Sequence, residues 1–113
     1  MEARAIARHI RMSPRKARLV IDAIRGKDVN EALRIVRLSS KKSALPIRKT
    51  LESAIANAES NFDVDVDSLY VVKATVDMGK SLRRIQPRAY GRADVVRHHT
   101  SHVTIIVGDR ERG

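Results

Sequence analysis

Several residue groups in this chain have the types that do chemistry, and their spacing dismisses each as catalysis. Gly79-Lys80-Ser81 ends like a phosphate-binding loop, but the glycine that should open that motif falls on Ala74, and no helical pattern follows. His98, His99 and His102 look superficially like a metal cluster. Neighbouring strand residues point apart, however, and the only nearby carboxylate is Asp94. Asp63, Asp65 and Asp67 alternate like calcium ligands in a loop without the glycine and distal glutamate of a calcium hand, so they read as a solvated acidic loop. Neither Asp22 nor Ser13 has a histidine at a spacing that implies a nucleophilic triad. No catalytic residue, metal site or cofactor is expected, and the chain is read as a non-enzyme.

What remains is cationic chemistry. Residues 80–102, KSLRRIQPRAYGRADVVRHHTSH, hold six arginines and lysines, one acid and three of the four histidines, with almost no apolar pattern. Arg83 and Arg84 are adjacent, so in an extended strand they point to opposite faces, and neither face can be buried against protein. Something anionic has to supply both. Net charge is +10 and 16 of the 23 basic residues are arginine, whose planar fork binds phosphate bidentately. The charge sits in blocks: residues 1–25 carry seven bases and two acids, residues 80–102 six and one, while residues 61–79 carry one base and four acids. Nucleic acid is the partner this distribution favours over a merely solvated basic surface. The only aromatics are Phe62, Tyr70 and Tyr90, too few for recognition by stacking single-stranded bases, which leaves phosphate and shape.

The elements that must position these residues follow from periodicity. Residues 2–10 alternate as a first strand, ended by Ser13-Pro14, an N-cap followed by proline at the first helical position. A first helix then puts Ala17, Val20, Ile21 and Ile24 on one stripe and Arg15, Arg18, Asp22 and Arg25 on the other, with Gly26 placed to stop it. Asp28 with Glu31 suggests a capping box for a second helix, whose Ala32, Leu33 and Val36 face inward. After the polar break Ser39-Ser40-Lys41-Lys42, a third helix runs to about Ser60. Its inward stripe is Ile47, Leu51, Ala54, Ile55 and Ala58, and Pro46 is tolerable only within its first turn. The period then changes to two: Tyr70, Val72, Ala74, Val76 and Met78 fall on one strand face, and Val103, Ile105 and Val107 on one face of the last strand. Residues between Met78 and Val103 are too many for a hairpin loop and too polar for another core element. The simplest reading is that both strands run on past the body and reverse between Pro87 and Gly91. Arms of about 9–12 residues would project roughly 30–40 Å.

The expected fold is α+β: three helices packed on a small three-stranded antiparallel sheet, with a long protruding β-hairpin, as a single domain over residues 1–113 with the arm at 80–102. At 113 residues the chain supports one modest core. It has zero cysteines, no apolar run near the roughly 20 residues that span a bilayer, and no signal-peptide pattern in MEARAIARHI, so a soluble intracellular protein is expected.

Four stretches carry a resemblance to a known family. They are Pro87-Arg88-Ala89-Tyr90-Gly91-Arg92-Ala93-Asp94 followed by Thr100-Ser101-His102; Ser13-Pro14-Arg15-Lys16 with Arg18-Leu19-Val20; Ile24-Arg25-Gly26-Lys27; and Leu51-Glu52-Ser53-Ala54 with Ala56-Asn57-Ala58. In order and spacing, across essentially the whole chain, they resemble the large ribosomal subunit protein twenty-two family, closest to its bacterial form. The acidic loop and the last few residues match nothing in it. The resemblance implies a cytoplasmic protein of the large ribosomal subunit, with a body near the exit-tunnel opening and a hairpin threading through ribosomal RNA to line the nascent-peptide tunnel. It also implies a part in subunit assembly. Expected partners are large-subunit ribosomal RNA, neighbouring ribosomal proteins and the nascent peptide, with no membrane, and the free protein is expected to be a monomer. The residues expected to meet RNA are Arg11, Ser13, Arg15, Lys16, Arg18, Arg25, Lys80, Arg83, Arg84, Arg88, Arg92, Arg97, His98, His99 and His102. The tip expected to line the tunnel is Arg88, Ala89, Tyr90, Gly91 and Arg92, its small residues permitting close approach of backbone to RNA.

Two other classes fit the charge. An architectural DNA-binding protein with paired β-ribbon arms would be an obligate dimer with an exposed apolar helix interface, which one apolar stripe per helix does not supply. A basic scaffold for acidic protein partners is compatible with charge alone.

Overall fold

The computed structural model describes residues 1–39, 42, 44–79, 82–87, 93–98 and 100–109, with residues 82–87 and 93–98 described by their backbone. Strand β1 (Glu2–Ile10) leads into helices α1 (Pro14–Ile24), α2 (Val29–Leu38) and α3 (Ala44–Phe62). A 3-10 turn (Val66–Ser68) precedes β2 (Leu69–Met78), β3 (Leu82–Pro87), β4 (Ala93–His98) and β5 (Ser101–Asp109). The main sheet has the order β1-β5-β2 with both pairings antiparallel, and β3 pairs with β4 as a separate two-stranded sheet. This is the expected α+β architecture.

Each helix forms for the reason its pattern suggests. Pro14 opens α1, where a missing N–H costs nothing, and Gly26 ends it at φ 78°, a left-handed conformation only glycine adopts freely. Ala17, Val20, Ile21 and Ile24 are all buried, as are Ile47, Leu51, Ala54, Ile55 and Ala58 of α3. In α2 Val29, Ala32 and Val36 are buried, with Leu33 partly so. Pro46 lies in the first turn of α3, and its carbonyl accepts the buried Thr50 hydroxyl at 2.8 Å. The capping box does not form. Asp28 is the N-cap of α2 without a side-chain bond to the helix start, and the Glu31 carboxylate is taken by the Arg34 guanidinium instead.

Helices and sheet meet in one core, where Ile21, Ile24, Ile47, Leu51, Leu69, Val71, Val103, Ile105 and Val107 are fully buried. The expected facing of β5 is observed, but that of β2 is not. Val71 pairs with Val107 and Lys73 with Ile106, so Val72 is an extra residue, a β-bulge that reverses the alternation. Leu69 and Val71 face the core before the bulge and Ala74 and Val76 after it, while Tyr70 and Val72 are half-buried and Met78 is 66% exposed.

Both edges of the main sheet carry hydrogen bonds from the helical layer, main-chain on one edge and side-chain on the other. On the β2 edge, the Gly26 N–H donates to the Val71 carbonyl at 3.1 Å and the Val71 N–H to the Lys27 carbonyl at 2.8 Å. On the β1 edge, Asn57 of α3 donates to the Arg4 carbonyl at 3.0 Å.

Candidate nucleic-acid interface

The arm leaves the body at a root where β1, β2 and β5 converge. The Gly79 N–H donates to the Thr100 carbonyl at 2.8 Å, closing the two strands just before they become the ribbon. A Cβ on Gly79 would stand 2.4 Å from the Thr100 hydroxyl oxygen and 3.2 Å from the His102 ring, so no other residue fits without movement. Next along β5, the buried Ser101 hydroxyl donates to the Met12 carbonyl at 2.8 Å. That bond ties the root to the loop carrying Arg11 and Ser13.

The third contact was not visible in the sequence. Strand β1 bulges so that Arg8 and His9 together oppose His102, and His9 sits at φ 56°. Its N–H donates to His102 Nδ1 at 3.1 Å, and the two imidazole rings meet edge to face with centroids 4.8 Å apart. Histidine tolerates the left-handed region better than most side chains. Nothing in the alternation of residues 2–10 marks where the bulge falls, so His9 offered no sign of this role.

The expected basic residues divide by what they touch. Arg11, Arg15 and Lys16 are exposed around the start of α1, and the half-buried Ser13 makes no capping bond to the helix. Arg18 and Arg25 are exposed too, but both are bonded to the body. The Arg18 guanidinium donates to the Val76 carbonyl at 3.2 Å, and Arg25 donates through Nε and Nη2 to the Ala74 carbonyl at 3.3 and 2.9 Å. Arg25 also pairs with Asp22 at 3.0 Å. These two arginines therefore continue the covering of the β2 edge begun by Gly26 and Lys27.

Of the arm residues, Lys80, Arg88, Ala89, Tyr90, Gly91, Arg92 and His99 lie outside the described residues, and Arg83, Arg84, Arg97 and His98 are placed by backbone. Antiparallel pairing sets Leu82 opposite His98, Arg83 opposite Arg97, Arg84 opposite Val96, and Pro87 opposite Ala93. Strands β2 and β5 do not run on unbroken into the ribbon. β2 ends at Met78 and the ribbon begins at Leu82.

Among the described residues, no group of three or more histidine, aspartate or glutamate side chains stands close enough to hold a metal ion. The alternating aspartates organise their own turn: Asp65 Oδ1 accepts the Asp67 N–H at 3.0 Å, and Asp67 accepts from Asn30 at 2.9 Å. No helix is long and apolar enough to cross a membrane among the described residues.

A sequence profile of the family described as "Ribosomal protein L22p/L17e" matches residues 5–108. The "Large ribosomal subunit protein uL22" of Syntrophomonas wolfei is 60% identical over 111 residues, covering 98% of this chain and 98% of the relative. That of Carboxydothermus hydrogenoformans is 59% identical over 113 residues, covering all of both chains. That of Thermoanaerobacter sp. strain X514 is 55% identical over 111 residues, covering 98% of this chain and all of the relative. With a full-length match at this identity, and with the three-helix body and paired ribbon in place, the chain belongs to the ribosomal protein L22p/L17e family.

Proposed function

We propose that this protein is a non-enzymatic, structural component of the large ribosomal subunit. It binds ribosomal RNA through two surfaces: the arm of residues 80–102 and the exposed bases at the start of α1. The observation that carries this reading is the ribbon register, which sets Arg83 directly opposite Arg97 in a two-stranded sheet separate from the core sheet. Like charges at opposed positions destabilise a ribbon, and an isolated two-stranded ribbon is marginal in water even without them. Anionic RNA packed around the arm removes the repulsion and supplies the missing contacts.

In this reading residues 1–113 act as one domain whose body lies near the exit-tunnel opening. The arm threads through RNA, and Arg88, Ala89, Tyr90, Gly91 and Arg92 line the nascent-peptide path. The protein contacts neighbouring ribosomal proteins, supports subunit assembly in the cytoplasm, and is a monomer when free.

Binding to a ribosomal RNA fragment tests the electrostatic part. Release of counterions gives a log–log salt slope near −0.9 per phosphate on duplex DNA, so by analogy six to ten contacts lose roughly 10³–10⁵ in affinity between about 50 and 200 mM salt. A nearly flat response excludes the reading. Crosslinks from residues 80–102 in the intact particle test the placement: products with RNA and nascent peptide are expected. Sedimentation of the free protein as a dimer would favour a DNA-bending protein instead.

A further inference from the structure

We propose that His9 and His102 form a protonation-sensitive latch at the root of the arm. The geometry fixes a tautomer. His102 Nδ1 accepts the His9 N–H at 3.1 Å, so in the closed latch Nδ1 carries no proton and the ring hydrogen is on Nε2. Protonating Nδ1 converts the acceptor into a donor, and two donors then face each other across the bulge. The bond is present when His102 is neutral and lost when it is charged.

The surroundings give this single bond leverage. His9 is the left-handed residue of the β1 bulge, so its N–H is aimed by a backbone conformation that the ladder does not otherwise hold. His102 is the second residue of β5, directly after Ser101, whose hydroxyl holds the Met12 carbonyl, and its ring lies over Gly79, whose N–H holds the Thr100 carbonyl. Opening the latch frees the imidazole from β1.

Among the described residues, charged and titratable groups beside His102 come from both flanking strands. From β1 they are His9, in edge-to-face contact, and Arg8, which shares the bulge. From β2 it is Asp77, paired directly opposite in the ladder. Asp77 provides a counter-charge for a protonated His102 once the ring is released from His9, so the latch has a second place to go.

For RNA, the consequence rests on the function proposed above: a closed latch offers a neutral Nε2–H donor at the arm root, and an open one a cation. The latch itself is tested without RNA. On the free full-length protein, ¹⁵N NMR should show His102 as the Nε2–H tautomer at pH 8. Amide exchange at His9, corrected for the intrinsic pH dependence, should rise about tenfold once His102 is protonated at low pH, the factor expected for losing one hydrogen bond. His102→Asn places an acceptor where Nδ1 was and cannot titrate, so the His9 amide should stay protected at low pH. His102→Gln places its acceptor one bond farther out and should leave that amide fast at every pH. Identical behaviour of the two variants overturns the latch, as does an Nδ1–H tautomer at pH 8 or a His9 amide indifferent to pH in the unaltered protein. Loss of salt-dependent RNA binding with the latch intact would count against the RNA reading alone.

Discussion

A single missing side chain decides the geometry of the arm root. Because a Cβ at Gly79 would meet the Thr100 hydroxyl oxygen at 2.4 Å, Gly79→Ala must displace a Thr100 side chain that is only 2% exposed and packed between the two strands. Overpacking of this kind costs about 1–3 kcal/mol. Urea unfolding should show that loss in Gly79→Ala, and Thr100→Ala in the same chain should restore part of it, since the two sites share one contact. The basic residues make a second comparison at this scale. Replacing Arg15 and Lys16 with alanine should leave stability unchanged and reduce the salt slope of RNA binding by roughly 1–2. Replacing Arg18 and Arg25 should instead lower stability by about 1–2 kcal/mol, because three hydrogen bonds to the Ala74 and Val76 carbonyls are lost. Periodicity places Arg15, Arg18 and Arg25 on the polar side of α1, which is correct. It could not distinguish a guanidinium aimed at solvent from one aimed at a strand edge, because helical periodicity says which side a residue is on and nothing about what stands beside that side.

Periodicity made most elements legible, and it failed where a strand breaks its own period. The buried stripes of α1 and α3 are where 3.6-residue spacing puts them, because nothing interrupts those helices. In β2 unbroken alternation puts Tyr70 and Val72 on the same face as Ala74 and Val76, but the bulge at Val72 adds one residue to the count and exchanges the two faces beyond it. Valine has no property that advertises a bulge, so the alternation of the strand alone does not reveal it. The same period-two logic governs the arm. Deleting Arg84 removes one residue from β3 opposite Val96, so the positions towards Pro87 must turn over or be absorbed as a new bulge. If the arm is chiefly a tunnel-lining element, subunits carrying the deletion should assemble in normal yield and translate a tunnel-sensitive peptide abnormally. A block in assembly would make the arm an assembly clamp. In the free protein, amides from residues 82–87 and 93–98 should exchange rapidly while those of Val20, Ile55, Val103, Ile105 and Val107 are protected, as hydrogen exchange can establish directly.

The whole molecule measures 68 × 26 × 20 Å with a radius of gyration of 17.3 Å. A compact chain of this length comes to about 13 Å, so the protein is markedly elongated. At the end of the main sheet away from the ribbon, the Met1 ammonium donates to Asp109 Oδ1 at 2.9 Å, joining β1 to β5. That hydrogen bond holds the Asp109 carboxyl below the ordinary aspartate range. A carboxyl depressed in the folded state contributes stability above its unfolded value of about 3.9 and loses it as pH falls through the folded one. Asp109→Asn should therefore lower the urea midpoint slightly at pH 6 and leave it unchanged near pH 2. The strand order has a further consequence, in time. The middle strand of β1-β5-β2 is the last of the three to be synthesised, and β1 and β2 each pair with it rather than with each other. Until Ser101–Asp109 emerges, neither outer strand has its sheet neighbour and the helices have no complete sheet to lie on. The body thus closes in a late step that brings together its most distant segments, a topology that makes folding slow and leaves the unfinished chain exposed to misassociation. A nascent chain stalled before Ser101 should be as protease-sensitive as an unfolded one, and release of the nine strand residues should confer resistance in one transition.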